Sequence, residues 1–192
     1  QSVSHMTGNV SLLAMSVLNW QPEHVLYLAL VILCFTFGSL LSGLILGNSQ
    51  VAFGRHYGYP LSLIGILLLL AWLSLPYFPS YGLLWACVAM GVQNAMVSHY
   101  KGAIIRTTHL SGVLTDIGLS LGYKARGLSI ENRRISLHLL IFLGFLIGGL
   151  IASYLYSYLK LHSFLIPIGL SSSMSVAYWI FYLRSTLNSH LD

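Results

Sequence analysis

Charge is scarce in this chain. Four acidic and nine basic residues are spread over 192 positions, 7% of the total, while 56% of residues are hydrophobic. A water-soluble domain carries roughly a quarter charged residues. So few charges cannot cover a soluble globule of this size, which excludes a soluble enzyme, a disordered chain and a nucleic-acid binder. The net charge of +5 therefore bears on membrane orientation and not on phosphate binding. Cysteine is scarce as well. Cys34 and Cys87 both sit inside apolar runs and provide neither a disulfide framework nor a metal-ligand spacing. Each reads as a small apolar core residue. No sequence signature asks for a metal or another cofactor.

Long apolar runs are plentiful. Crossing about 30 Å of hydrocarbon takes roughly 20 helical residues, and five stretches qualify, near 23–47, 60–79, 81–99, 133–159 and 162–184. Leu61 to Leu75 carries no charge and is followed by Pro76 and Pro79, which end a helix. Gly38, Ser42 and Gly43 in the first stretch, and Gly144, Gly148 and Gly149 in the fourth, are small residues of the kind that let helix backbones approach in lipid. Tyr154, Tyr156 and Tyr158 suit an interfacial aromatic belt.

Two more apolar stretches, Val10–Trp20 and Val113–Gly122, are too short to span. Each follows a polar, glycine-containing turn: Ser4-His5-Met6-Thr7-Gly8-Asn9 and Thr108-His109-Leu110-Ser111-Gly112. Polar backbone beside a short apolar helix suits a re-entrant or broken helix; an amphipathic helix on the membrane surface is the alternative.

The two turns align at an offset of 104 residues, with His5 over His109 and Gly8 over Gly112. Ser11 then falls over Thr115 and Ser16 over Ser120. Gly38 and Gly43 match Gly144 and Gly149 at an offset of 106. The shared order of turn, half-helix, glycine-rich span and second span points to an internal duplication, as in many transporters and channels. Residues 1–79 form the first unit and residues 80–192 the second, together one membrane domain. The second unit also has a leading span, 81–99; the first starts at its turn, so a leading helix of about 20 residues is expected before Gln1.

Charge selects the handedness. If each half-helix dips in and returns, Arg55, Lys101, Arg106, Lys124, Arg126, Arg133, Arg134 and Arg184 share one side and Lys160 alone takes the other. The positive-inside rule favours that split over the more even one that full crossings give. The expected fold is an all-α integral membrane protein of two inverted repeats. Each has three transmembrane helices and a re-entrant half-helix, with both termini of the intact chain cytoplasmic.

Gly91-Val92-Gln93-Asn94-Ala95, followed by Arg106-Thr107-Thr108-His109-Leu110-Ser111-Gly112-Val113-Leu114-Thr115-Asp116-Ile117-Gly118, resembles the second signature of the YoaK-type membrane proteins. His5-Met6-Thr7-Gly8-Asn9 resembles their first. The resemblance runs over nearly the whole chain. It implies about six transmembrane helices in the bacterial cytoplasmic (inner) membrane. That family is a domain of unknown function, so the resemblance implies no substrate. The chain departs from the pattern in lacking the small-residue-rich helix before the first motif.

In the inverted arrangement the half-helices enter from opposite faces. A helix N-terminus exposes unsatisfied N–H groups and about half a positive charge. Thr7 and Ser111 are expected N-caps, with Gly8 and Gly112 keeping the backbone accessible. Two such ends facing one another near the midplane would bind a small anion or small polar solute. Asp116 is the one acid placed within an apolar segment, and an intramembrane carboxylate points to function: pairing with Arg106 or His109, proton coupling or cation binding. A structural ion pair locking the loop is an equally weighted alternative. His5 and His109 suit a proton relay or, more simply, bonding of loop carbonyls. His24, His56, His99, His138, His162 and His190 lie near span ends and read as interfacial, and no two of them make a metal pair. Gln93 and Asn94 line the path or glue helices, the commoner role. Arg106 flanks the anion site or snorkels to the surface. The solute-binding set is thus His5, Thr7, Gly8, Asn9, Gln93, Asn94, Arg106, Thr108, His109, Ser111, Gly112 and Asp116, with Asn9 and Thr108 contributed by the turns.

The leading expectation is a transporter or channel for a small anion or polar solute, with the lipid bilayer as its other partner, no nucleic acid, and small-residue faces that permit a homodimer. The alternatives are a membrane-embedded enzyme and a structural or assembly protein. Against the enzyme stand the absence of a metal motif, a nucleophile elbow and a lipid-phosphate signature.

Overall fold

A computed structural model describes residues 2–47, 55–98, 108–129 and 131–188. Among them the secondary structure is entirely helical: α1 Met6–Leu18, α2 Pro22–Leu46, α3 Arg55–Ser74, α4 Pro79–Ser98, α5 Leu110–Ala125, α6 Asn132–Leu159 and α7 Leu165–Asn188, with a 3-10 turn, Lys160–Phe164, between α6 and α7. Proline opens α2 at its first position and α4 at its first residue, where its missing N–H costs nothing.

Among the described residues three stretches are long and apolar enough to cross a membrane: Pro22–Leu46, Tyr57–Ser74 and Ile135–Leu187. The last is too long for one crossing and is divided by the 3-10 turn, where Lys160 takes a left-handed φ of 49°. The expected span 81–99 is not among the three. Its helix, α4, packs between α2 and α3. Shielded in this way from lipid, it can carry Gln93, Asn94 and serine without the apolarity a lipid-facing helix needs.

The core sits where α2, α3 and α4 meet. Ile64, Leu67 and Leu68 of α3 and Val88, Ala89 and Val92 of α4 are buried together, with Cys34 and Leu41 of α2 and Ile168 of α7 packed against them. Both cysteines are free, Cys87 buried and Cys34 half-buried, as small core residues should be. The α2–α4 contact is backbone against backbone. A Cβ on Gly38 would run into the Val88 carbonyl oxygen, and one on Gly91 into that of Phe35. Ser39 Oγ donates across the same seam to the Gly91 carbonyl at 3.2 Å.

Helix α3 meets α7 through a polar seam. Ser62 Oγ lies 2.7 Å from Ser175 Oγ and accepts from Trp179 Nε1 at 3.1 Å. Gly58 leaves room for the Trp179 ring and Gly65 for Ser172. Ser175 and Ser172 of the last span therefore serve close packing of α7 on α3.

Helix α1 packs on α2, and α5 on α6. Beyond α5 and the 3-10 turn, α6 has no substantial contact among the described residues. Gly144, Gly148 and Gly149 face open space. Of the matched glycines only Gly38 is packed, on α4, while Gly43 of α2, like those of α6, has open space beside it.

Candidate functional site

The two turn motifs adopt the same local structure. The N-cap of α1 is His5, at φ −90° and ψ 72°; that of α5 is His109, at φ −95° and ψ 67°. The first helical bonds correspond: the Asn9 amide donates to the His5 carbonyl and the Val113 amide to that of His109, both at 3.2 Å. One turn on, Ser11 Oγ donates to the Thr7 carbonyl at 3.1 Å, and Thr115 Oγ1 to that of Ser111 at 2.9 Å. Asn9 and Val113 are buried at matched positions, as are Ser16 and Ser120.

The helix ends correspond too. Trp20, at φ 52°, and Gly127, at φ 76°, take left-handed conformations after α1 and α5. The next residue closes each end, Gln21 N–H on the Ser16 carbonyl and Leu128 N–H on that of Tyr123. This six-to-one bond is that of a Schellman cap.

Thr7 and Ser111 are not the N-caps. The helices begin at Met6 and Leu110 because the histidine carbonyl before each already accepts the first intrahelical bond. Thr7 and Ser111 stand inside the first turn, with exposed side chains. Gly8 and Gly112 follow within the same turn. No side chain caps either helix, so the first-turn amides point out of the helix end without a side-chain acceptor. With 13 and 16 residues, α1 and α5 run about 20 and 24 Å, longer than expected because they absorb the motifs, yet short of the hydrocarbon thickness.

The surroundings of the two turns differ. His5 is exposed, its ring lying over Gly8, and its amide donates to Ser2 Oγ at 2.9 Å. Asn9 Nδ2 donates to the Ser2 carbonyl at 2.8 Å. At the second turn His109 is exposed and Gly112 has open space beside it. There Thr108 Oγ1 donates to Asn94 Oδ1 at 2.6 Å, while Asn94 Nδ2 donates to the Met90 carbonyl at 2.8 Å. The turn is thereby tethered to α4. Asn94 and Thr108 are brought together, and Gln93 is half-buried on α4. Arg106 lies outside the described residues.

Asp116 has a partner that the sequence did not suggest. His138 Nε2 lies 3.4 Å from Asp116 Oδ2, with the histidine side chain 14% exposed and the aspartate 39%. His138 stands in the second turn of α6 and is turned onto α5. One signal was available. The positions matching Asp116 and His138 in the first unit are Leu12 and Ile32, so an acid and a base each replace an apolar residue in the second unit alone. No group of three metal-ligating side chains exists among the described residues.

A family profile described as "Protein of unknown function (DUF1275)" matches residues 1–177. The chain belongs to the DUF1275 family. No curated protein and no solved structure matches it. In this DUF1275 chain the match takes in both turns, the Asn94–Thr108 tether and the Asp116–His138 pair.

Proposed function

We propose that this DUF1275 protein moves a small anion or a small polar solute across the bacterial cytoplasmic membrane, as a member of the YoaK-type group. It is built as two inverted repeats with both termini of the intact chain cytoplasmic. The solute is held near the midplane between the N-terminal ends of α1 and α5. His5, Thr7, Gly8 and Asn9 serve one side, and Thr108, His109, Ser111 and Gly112 the other. Gln93 and Asn94 line the approach from α4, Arg106 adds positive charge beside it, and Asp116 lies one turn deeper.

One observation carries this reading: two short helices share a His-x-(Thr/Ser)-Gly start, the same backbone angles and the same hydrogen bonds, and neither end is capped by a side chain. Uncapped amides and the helix dipole together favour an anion or a hydrogen-bond acceptor. Duplication of such ends is what a symmetric pathway through a membrane requires.

The experiment is reconstitution of the intact protein into liposomes with a panel of small anions and neutral polar solutes. The expected result is uptake of at least one of them well above protein-free vesicles and insensitive to the rest of the panel. Uptake at the level of empty liposomes across the panel would count against transport.

The bare α6 face favours a second reading, assembly with another membrane helix. Gly144 and Gly148 stand four apart with nothing beside them, as a helix-docking face would.

A further inference from the structure

Helices α3 and α7, the last spans of the two units, carry the duplication further. Pro60 and Trp72 of α3 match Pro167 and Trp179 of α7 at a single offset of 107, one more than that between α2 and α6. On this offset Gly65 falls over Ser172, and the two face each other: a Cβ on Gly65 would lie 3.1 Å from Ser172 Oγ. The contacts nearby run in opposite order. Gly58 meets Trp179 and Ser62 meets Ser175, so the two helices pass antiparallel. A residue touching its own counterpart across antiparallel helices is what a two-fold axis between the units gives.

Such an axis supplies every contact with a counterpart. Helix α4, the leading span of the second unit, lies against α2 and α3. Its backbone meets Gly38, and Ser42 is buried one turn on. Cys34 and Leu41 of α2 and Leu67 of α3 belong to the same core. The counterpart surface lies on α6 and α7, and among the described residues nothing covers it. Gly144 and Gly148 match Gly38 and Ser42 and are exposed. Leu140 and Ile147 match Cys34 and Leu41 and are 69% and 53% exposed. Met174 of α7 matches Leu67 and is 61% exposed. Apolar side chains alone do not call for a protein partner here, since lipid tails are as apolar as leucine. The glycines do. Glycine weakens a helix and gives lipid little to pack on, and it is useful where another backbone comes close.

We propose that the first unit's leading helix, the segment that the duplication places before Gln1, lies against α6 and α7 as α4 lies against α2 and α3, with its backbone on Gly144. The internal symmetry selects this occupant. The face matching that of α6 is covered by a leading span, and the counterpart of α4 is the leading span of the first unit. A second copy offers no free equivalent, because its own α4 is already committed to the α2 seam. Seating this helix also gives α6 a partner beyond α5 and the 3-10 turn, its substantial contacts among the described residues. In the intact protein Gly144 then takes the part of Gly38. Alanine there costs stability that it does not cost the 192-residue chain.

The inference goes beyond the transport reading, assigns the α6 face to a helix of this chain, and is tested without any solute. The intact protein is prepared with Cys34 and Cys87 replaced by alanine. Ile147→Cys, and separately Leu140→Cys, is combined with single cysteines stepped along the segment before Gln1. Disulfide formation in nanodiscs is followed by gel mobility and by mass spectrometry of proteolytic fragments. The expected result is cross-linking within one molecule, at positions three to four residues apart on one face of the leading helix. Gly144→Ala is expected to lower the denaturation midpoint of the intact protein about as far as Gly38→Ala does. Cross-links that join two molecules would assign the face to a second copy and overturn the proposal. So would the absence of cross-links at every position with both α6 cysteines, or cross-links all round the leading helix without a preferred face. An intact protein whose midpoint is untouched by Gly144→Ala would overturn it as well. If one α6 cysteine prevents insertion, the other and the alanine comparison still decide.

Discussion

Alanine at Gly38 or at Gly91 is expected to destabilise the protein by about 1–3 kcal/mol, the range for overpacking a close-fitted interior. The same change at Gly144 is expected to leave stability unchanged or raise it by up to about 1 kcal/mol, from helix propensity alone. The three positions look alike in the sequence, each a glycine within an apolar helix. What separates them is the opposing surface. The added methyl at Gly38 would meet the Val88 carbonyl, and at Gly91 that of Phe35. Backbone cannot move aside as a side chain can, so α2 and α4 must separate. Each glycine serves the same seam from opposite sides, so the double substitution should cost less than the sum of the two. At Gly144 there is open space. Denaturant titration of the purified 192-residue chain in detergent, followed by helical circular dichroism, checks all three. Equal costs at Gly38 and Gly144 would mean that the α2–α4 seam is not the close contact described here. A Gly144→Leu variant that keeps its stability but loses a higher-order assembly would support the assembly reading.

Thr7→Val and Ser111→Ala are each expected to lower solute flux about tenfold while leaving insertion and helix content unchanged. A tenfold loss corresponds to about 1.4 kcal/mol, the worth of one hydrogen bond to a bound solute. Both side chains are exposed on the first turn of their helices, and neither is an N-cap, so little stability should be lost with them. Asn94→Leu is expected to act at a distance. Without the Oδ1 acceptor, Thr108 loses its tether to α4, and the start of α5 is no longer held in register. Thr108→Val should lower flux by a similar factor, and the pair together by little more than Asn94→Leu alone, because the same tether between Thr108 and Asn94 is lost in all three variants. Liposome uptake with the solute identified for the unmodified protein is the measurement. Unchanged flux in Thr7→Val and Ser111→Ala would remove the helix ends from the pathway.

Much of the helical layout was legible from the residues, because apolar runs of span length need no tertiary information. The duplicated turn was legible too: His5 with Gly8 and His109 with Gly112 repeat at fixed spacing, and the two segments have matching backbone angles and hydrogen bonds. The caps were misjudged for a physical reason. Thr7 and Ser111 are favourable capping types, but the carbonyls of His5 and His109 accept the first helical bonds, which moves each helix start back by two residues. The fate of Gly144 could not be read from spacing, and the contact of Asp116 with His138 left only the trace that both replace apolar residues of the first unit. Both depend on which helix lies opposite, and no periodicity within α5 or α6 encodes the register between them.

The claim on which the account rests is that the two helix starts share one solute site within the membrane. It is tested most directly by the distance between positions 5 and 109 in a bilayer. Spin labels are placed on His5→Cys and His109→Cys, both exposed positions, with Cys34 and Cys87 replaced by alanine. If both ends lie near the midplane, the separation is expected to fall below about 15 Å, half the hydrocarbon thickness. A separation of about 30 Å or more, the full thickness, would put the ends at opposite surfaces and contradict a common solute site.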